Sequence, residues 1–228
     1  LEIIKENGFN FVRLAHYPQD PSVLAAADRL GLMLWEEIPI VNLVHLSDAF
    51  NHNSEVMLRE MIRQHRNHPS VILWGYMNEI FLAAPKTEEY TKATVELARR
   101  LEKIVHEEDP GRMTAIAFDR GDATDRYHAS GLGEITDVIG WNLYFGWYYG
   151  VFDDLGKFMD DQHRRFPNRP QFISEYGANA DQRVHSLAPV RFDSTTEWQR
   201  VYHESYLRQM NERKFISGGA VWNMFDFS

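Results

Sequence analysis

Asn67-His68-Pro69-Ser70-Val71-Ile72-Leu73-Trp74-Gly75-Tyr76-Met77-Asn78-Glu79 is the stretch that decides how this chain is read. A proline-containing turn leads into a run of Val, Ile, Leu and Trp, and the run stops at an amide beside a carboxylate. Continuous apolar runs of this length read as parallel strands covered on both faces. Parallel α/β sheets carry their working residues just past the carboxyl ends of their strands, which is where Asn78 and Glu79 fall.

Working outward, the same pattern recurs at residues 9–14, 32–35, 113–118, 138–143, 171–174 and 218–222, each an apolar run bounded by turn residues. Between them the 3.6-residue periodicity predicts helices over 21–30, 55–66 with Ser54 as its cap, 87–108, 152–166 and 195–213. Residues 1–8 read as the tail of a helix closed by Gly8, and 40–53 as a loop over the strand ends. Strict alternation of strands and helices is the pattern of a parallel sheet. Seven strands preceded by a partial helix predict a (β/α)8 TIM barrel whose first strand lies before Leu1. No internal repeat or low-complexity linker interrupts the chain, so residues 1–228 are read as one domain.

The bulk numbers narrow the function. With 228 residues and 44% hydrophobic content the chain can bury a large core, although a complete barrel of this kind takes roughly 250 residues. A net charge of −9 with scattered Lys and Arg argues against nucleic acid or an acidic membrane surface as partner. There is no cysteine, hence no disulfide framework and no thiolate metal site. His106, His128, His163, His185 and His203 lack the paired spacing of a metal site, and no cofactor motif is present, so neither metal nor cofactor is expected. No apolar run is long enough to cross a bilayer, and no signal-peptide pattern opens the chain. Leu1 is not a methionine and begins inside a helix-like segment, so the chain is read as a piece of something longer. Its targeting is not legible; a bacterial cytoplasm or periplasm is the expectation, and a homo-oligomeric parent is allowed.

Two carboxylates follow apolar strands directly, Glu79 and Glu175. A pair of glutamates on separate strands at one rim is what glycoside hydrolysis needs, one as proton donor and one as nucleophile or base. Taken singly, a strand-end Glu is at roughly even odds a cap or a salt-bridge partner. Glu36 and Glu37 obey the same positional rule, so position alone does not choose the pair.

Longer motifs do choose it. Asn10-Phe11-Val12-Arg13-Leu14-Ala15-His16-Tyr17-Pro18 with Asp28 and Gly31, and the stretch from Asn67 to Glu79, resemble the two signature segments of glycoside hydrolase family 2. That family contains β-galactosidases, β-glucuronidases and β-mannosidases. The similarity runs on through Asn142-Leu143-Tyr144-Phe145-Gly146-Trp147-Tyr148, Ser174-Glu175-Tyr176-Gly177 and Trp222-Asn223-Met224-Phe225-Asp226-Phe227. The resemblance implies a retaining mechanism with Glu79 as general acid/base and Glu175 as the nucleophile that forms a covalent glycosyl-enzyme. It makes Asn78 the partner of the sugar 2-hydroxyl, and Arg13 and His16 rim residues that hold the nucleophile and a sugar hydroxyl. It makes Tyr144 the tyrosine that hydrogen-bonds the nucleophile and Trp222 the aromatic floor of the sugar site, with Asn142 among the substrate-binding residues. Retention requires the two carboxyl groups about 5–5.5 Å apart. Trp74 and Trp141 read as core, and His68 as a turn residue.

Some family features are replaced. Where members with a catalytic-site magnesium have a Glu-x-His pair, this chain has Val41-Asn42-Leu43, and Ala178 stands where some β-galactosidases have a histidine. The carboxylate clamp of β-glucuronidases, Asn-x-Lys, would lie after Ser228, and the first barrel strand and the family's flanking β-sandwich domains are expected to belong to the longer parent. The expected substrate is an oligosaccharide or β-glycoside. The Ser174–Gly177 context and the ending at residues 223–228 favour a β-galactosidase. A β-glucuronidase, with Arg183 and Arg191 as basic groups for an acidic sugar, is the alternative. A carbohydrate-binding module that has lost catalysis is the third reading.

Overall fold

The computed structural model describes residues 1–121 and 123–225, so Asp226, Phe227 and Ser228 of the ending quoted above lie outside the described residues. Two compact units divide the chain, Leu1–Gly140 and Trp141–Ser228.

In the first unit α1 (Glu2–Glu6), β1 (Phe11–Leu14), α2 (Pro21–Leu30), β2 (Met33–Glu37), α3 (Asp48–His65), β3 (Val71–Asn78), α4 (Glu88–Glu108), β4 (Met113–Asp119) and α5 (Ala123–Ser130) follow one another. Strands β1 to β4 pair in sequence order and all in parallel, with Leu14 opposite Glu36, Glu37 opposite Gly75 and Asn78 opposite Ala117. Parallel pairing makes every strand end on the same side, so Arg13, Glu37, Asn78 and Asp119 gather at one rim. The helices seal the other face. Leu24 and Ala27 of α2, Leu58 and Ile62 of α3, and Leu97 and Leu101 of α4 are fully buried at helical spacing. Each such leucine or isoleucine contributes about 1.5–3 kcal/mol relative to an exposed position.

Local chemistry fixes the helix starts. The Asp20 carboxylate accepts from Ser22 N at 2.8 Å with Pro21 in the first turn, and Gly31 closes α2 at φ 63°. Thr87 caps α4 by accepting from Tyr90 N at 3.2 Å. The start of α3 differs from the sequence reading. The helix begins at Asp48, with the Ser47 hydroxyl accepting from Phe50 N at 3.1 Å. Ser54 is not a cap but a buried residue inside the helix whose hydroxyl donates to Phe50 O at 2.8 Å. Only the segment before Ser47 is loop, and its Asn42 N donates to Asn78 O at 2.9 Å, which lays it over the end of β3.

The second unit opens inside β5 (Val138–Asn142) and continues through α6 (Asp154–Arg165), β6 (Gln171–Tyr176), α7 (Thr196–Asn211) and β7 (Ile216–Val221). Strands β6 and β7 are parallel, with Gln171 opposite Ile216 and Tyr176 opposite Val221. Behind them Tyr176 stacks on Tyr206 at 5.2 Å and Tyr206 on Tyr202 at 4.3 Å. Burial pushes Tyr176 up to about 12, so this stack is a neutral, rigid backing for the strand.

Strands β2 and β6 each run two residues further than the apolar runs suggest, because Glu36, Glu37 and Glu175 remain in the ladder despite their charge. Gly75 makes room for one of them. A Cβ there would lie 2.2 Å from Trp35 Nε1 and 2.8 Å from Glu37 Cβ, so β2 can lay both side chains across β3 only over a glycine. We predict that Gly75→Ala lowers the unfolding free energy of the parent protein by about 1–3 kcal/mol or more, as overpacking does. Gly111→Ala, where the nearest atom is 3.7 Å from the new Cβ, is the control and stays within about 0.5 kcal/mol. Chemical denaturation measures both.

Candidate active site

In the first unit the centre of the rim is a buried carboxylate, Glu37. Arg13 Nε donates to Glu37 Oε2 at 3.0 Å and Arg13 Nη2 to Glu37 Oε1 at 2.9 Å, a two-pronged pair. His16 Nδ1 lies 2.8 Å from the same Oε1. Arg13 Nη2 also donates to Asn78 Oδ1 at 2.9 Å, and its guanidinium sits 4.8 Å from the Trp35 ring centre. Arg13 and His16 are thus held by one residue that the sequence reading did not choose, and Asn78 is held through Arg13. Burial would raise Glu37, but the Arg13 charge and the hydrogen bonds from His16 and Arg13 outweigh it and hold the carboxyl below its ordinary 4.5. Its neighbour Glu36 faces the other way, 2.8 Å from His65 Nδ1 on α3, and burial pushes it up. The signal that points to this end of β2 is the opposite charge on its parallel neighbour: Arg13 near the end of β1 and the Glu36-Glu37 pair at the end of β2.

Glu79 follows β3 directly and is half-buried. It adopts φ 51°, a left-handed conformation that a residue with a side chain rarely takes. Its N donates to Ala117 O at 2.8 Å, and its O accepts from Leu82 N at 2.8 Å, so the turn is fixed on both sides. Such local strain persists only where the surroundings impose it, and it concentrates at functional sites. Burial, the Asp119 charge and, more weakly, the Glu79 charge raise Tyr127, which puts the Glu79 carboxylate within electrostatic reach of that phenol.

In the second unit Tyr144 Oη donates to Glu175 Oε2 at 2.8 Å. Leu143 N donates to Glu175 O at 2.8 Å, and Tyr144 N donates to Tyr149 Oη at 2.9 Å, so both partners are held through the backbone as well. Asn142 is buried, and its Oδ1 accepts from Ser174 Oγ at 2.7 Å. Trp222 N donates to Tyr176 O at 2.8 Å. A Cβ on Gly177 would lie 2.2 Å from Trp222 O, so a glycine after Tyr176 is what lets Trp222 come this close to the end of β6. Tyr148 is exposed, and its ring is 5.0 Å from Tyr144.

The basic residues considered for an acidic sugar are spent locally. Arg183 makes an exposed ion pair with Asp181 at 2.6 Å, and Arg191 Nη1 donates to Gly150 O at 3.1 Å. Trp74 and Trp141 are buried core residues, and His68 is paired with Asp28 at 2.7 Å. Among the described residues one group could in principle hold a cation: Glu102, His106 and Asp137, with ligand atoms within 4.8 Å of one another. Those atoms are already engaged. Glu102 accepts from Tyr76 Oη at 3.0 Å and Thr114 Oγ1 at 2.9 Å and lies 3.0 Å from His106 Nε2, while Asp137 accepts from Thr114 N at 3.0 Å.

The family model for glycosyl hydrolases family 2, TIM barrel domain, matches residues 1–228. Among curated relatives, a β-glucuronidase of Bacteroides fragilis is 35% identical over 99% of this chain and 32% of its own length. The β-glucuronidase of Homo sapiens is 28% identical over 96% of this chain and 33% of its own. The chain therefore spans about a third of the length of these relatives. Among solved structures, Bacteroides uniformis β-glucuronidase aligns with a TM-score of 0.94 at 46% identity, covering 100% of this chain and 28% of that one. One structure of that organism's β-glucuronidase 2, with the same identity and coverage, has it covalently bound to cyclophellitol-6-carboxylate aziridine. A putative β-galactosidase from Bacteroides fragilis aligns at a TM-score of 0.85 and 30% identity, over 100% of this chain and 32% of that one. The fold is a TIM barrel, as the alternation of strands and helices predicts. The galactoside preference read from the Ser174–Gly177 context has less support among these relatives than the glucuronide alternative.

Removing the charge at position 37 leaves Arg13 buried without its partner, which typically costs about 3–5 kcal/mol. We predict that loss for Glu37→Gln at neutral pH, measured by chemical denaturation of the parent protein. Because the folded-state value of Glu37 is depressed, its stabilisation is complete above its ordinary 4.5 and is lost as pH falls through the lower folded value. The variant should therefore show a flatter acid limb; equal steepness in both proteins would contradict the network.

Proposed function

Because the chain belongs to glycosyl hydrolases family 2, we propose that its parent protein is a retaining β-glucuronidase acting on terminal β-D-glucuronides. The observation that carries the sugar assignment is the 46% identity to Bacteroides uniformis β-glucuronidase over the full length of this chain. That the related β-glucuronidase 2 is covalently bound to a carboxylate-bearing cyclitol aziridine supports both an acidic sugar and a covalent nucleophile.

In this reading a Glu175 carboxylate oxygen attacks C1 of the sugar as the Glu79 carboxyl gives its proton to the glycosidic oxygen, and the C1–O bond to the leaving group breaks. Water then attacks C1 of the glycosyl-enzyme, Glu79 takes the water's proton, and the ester bond to Glu175 breaks with net retention. The Tyr144 hydrogen bond to Glu175 Oε2 supports the nucleophile role, since it aims the other oxygen and disperses charge on the one it holds. Asn78, oriented by Arg13, offers its amide to the sugar 2-hydroxyl. His16 and Asn142 offer polar groups to the other hydroxyls, and the Trp222 ring offers an apolar face to the C–H side of the pyranose. Arg183 and Arg191 are not assigned to the sugar carboxylate, because exposed and locally paired guanidinium groups give it little. The structural neighbour described as a putative β-galactosidase keeps a galactoside as the second reading.

A panel of nitrophenyl β-D-glycosides on the parent enzyme tests the sugar. We expect kcat/KM for the glucuronide to exceed that for the galactoside by on the order of 10⁴-fold, the scale on which a site built to hydrogen-bond a polar group rejects a substrate lacking it. A galactoside preference would select the second reading. Glu175→Ala should lower kcat/KM on the order of 10⁴-fold. Glu79→Ala should lower it about 10²–10⁴-fold on poor leaving groups and far less on activated ones, since protonation assists departure. A pure binding module would show no turnover.

A further inference from the structure

Beyond Glu79 the first unit contains a cavity of about 500 Å³. Phe81 and Leu82, which follow Glu79 by two and three residues, form its apolar wall, and Lys86, Asp119, Arg120 and Arg126 are among its polar lining residues. The cavity opens from the same turn as the proposed acid: Leu82 N is bonded to Glu79 O, and Phe81 N donates at 3.3 Å to the Tyr127 hydroxyl that senses the Glu79 charge.

The charges around it are unequal. Asp119 is buried and accepts from Tyr127 Oη, and burial pushes its carboxyl up. Glu88 contributes one further carboxylate at the helix start. Against these stand three cations. Arg126 makes no ion pair among the described residues. Its guanidinium lies 3.9 Å from the Phe81 ring centre and 5.4 Å from that of Tyr90, with Nε donating to Thr91 Oγ1 at 2.9 Å. Its Nη2 is buried with no hydrogen-bond partner among the described residues. A partly desolvated cation without a counter-charge draws an anion more strongly than an exposed one does, because less water competes. Burial also lowers the pKa of its guanidinium, in keeping with that missing counter-charge.

We propose that this cavity receives the leaving group of the substrate and favours an aglycone with an apolar ring against the exposed Leu82 and an anionic group facing Arg126 and Arg120. The proposal rests on the glycosidase reading above, with Glu79 as the group that protonates the departing oxygen. It adds what lies on the far side of that oxygen.

The test uses the full-length parent enzyme with two leaving groups of one ring system, methylumbelliferyl and carboxyumbelliferyl β-D-glucuronide. Wild-type enzyme should favour the carboxylated substrate by about tenfold in kcat/KM, chiefly through KM, the scale of one charge-assisted contact. Arg126→Met should bring the ratio near one and Arg126→Lys should restore part of it. Arg120→Met provides the same readout should Arg126→Met fold poorly. A purely structural role would lower both substrates alike and leave the ratio where it was, which would overturn the proposal, as would a wild-type ratio near one. If the enzyme cleaves galactosides and not glucuronides, the sugar assignment fails while the same two aglycones on a galactoside still read the cavity. Cleavage of neither glycoside overturns both.

Discussion

A carboxylate carried into the interior at the end of a strand costs several kcal/mol unless donors meet it there, and four such carboxylates stand among the described residues. Glu37 is met by the two-pronged Arg13 and by His16, Glu36 by His65, Asp119 by Tyr127 and Glu175 by Tyr144. Each pairing fixes the donor as firmly as it fixes the acid. Arg13 cannot serve Glu37 with both nitrogens and also reach Asn78 unless all three side chains keep one arrangement. The demand for compensation therefore sets the positions of the polar groups that a sugar would meet.

Backbone geometry makes room for these arrangements. Glycine at 75 lets Trp35 and Glu37 lie across β3, and glycine at 177 lets Trp222 approach the end of β6. Glu79 takes the opposite course, accepting a left-handed backbone although it has a side chain, with hydrogen bonds on both of its peptide groups holding the turn. Buried strands and capped helices supply the stability against which such local costs are set.

Much of this was legible from residue order. The apolar runs located the seven strands found among the described residues, and α2 and α4 were bracketed by Pro21, Gly31 and Thr87 because helix ends are set by local interactions. The first two turns of α3 were not legible, since Asn51, His52 and Asn53 lie on its outer side and leave no apolar period. The helix α5 was missed for the same reason: among its residues only Ala123 and Tyr127 are buried. The apolar runs stop two residues before the ends of β2 and β6, because a charge in a strand is credible only once its partner is known. Glu37 shows the limit most clearly. Its importance depends on three residues distant in sequence, and nothing in the Glu36-Glu37 pair itself says which of the two faces Arg13.

The account turns on Glu175 as the group that bonds to the sugar. Full-length enzyme treated with a slow fluorosugar glucuronide, digested and mapped by mass spectrometry tests this most directly. The account predicts one added glycosyl mass on the peptide containing Glu175, removed as activity returns. A label on Glu37, Glu79 or any other side chain, or steady turnover with no label at all, would contradict it.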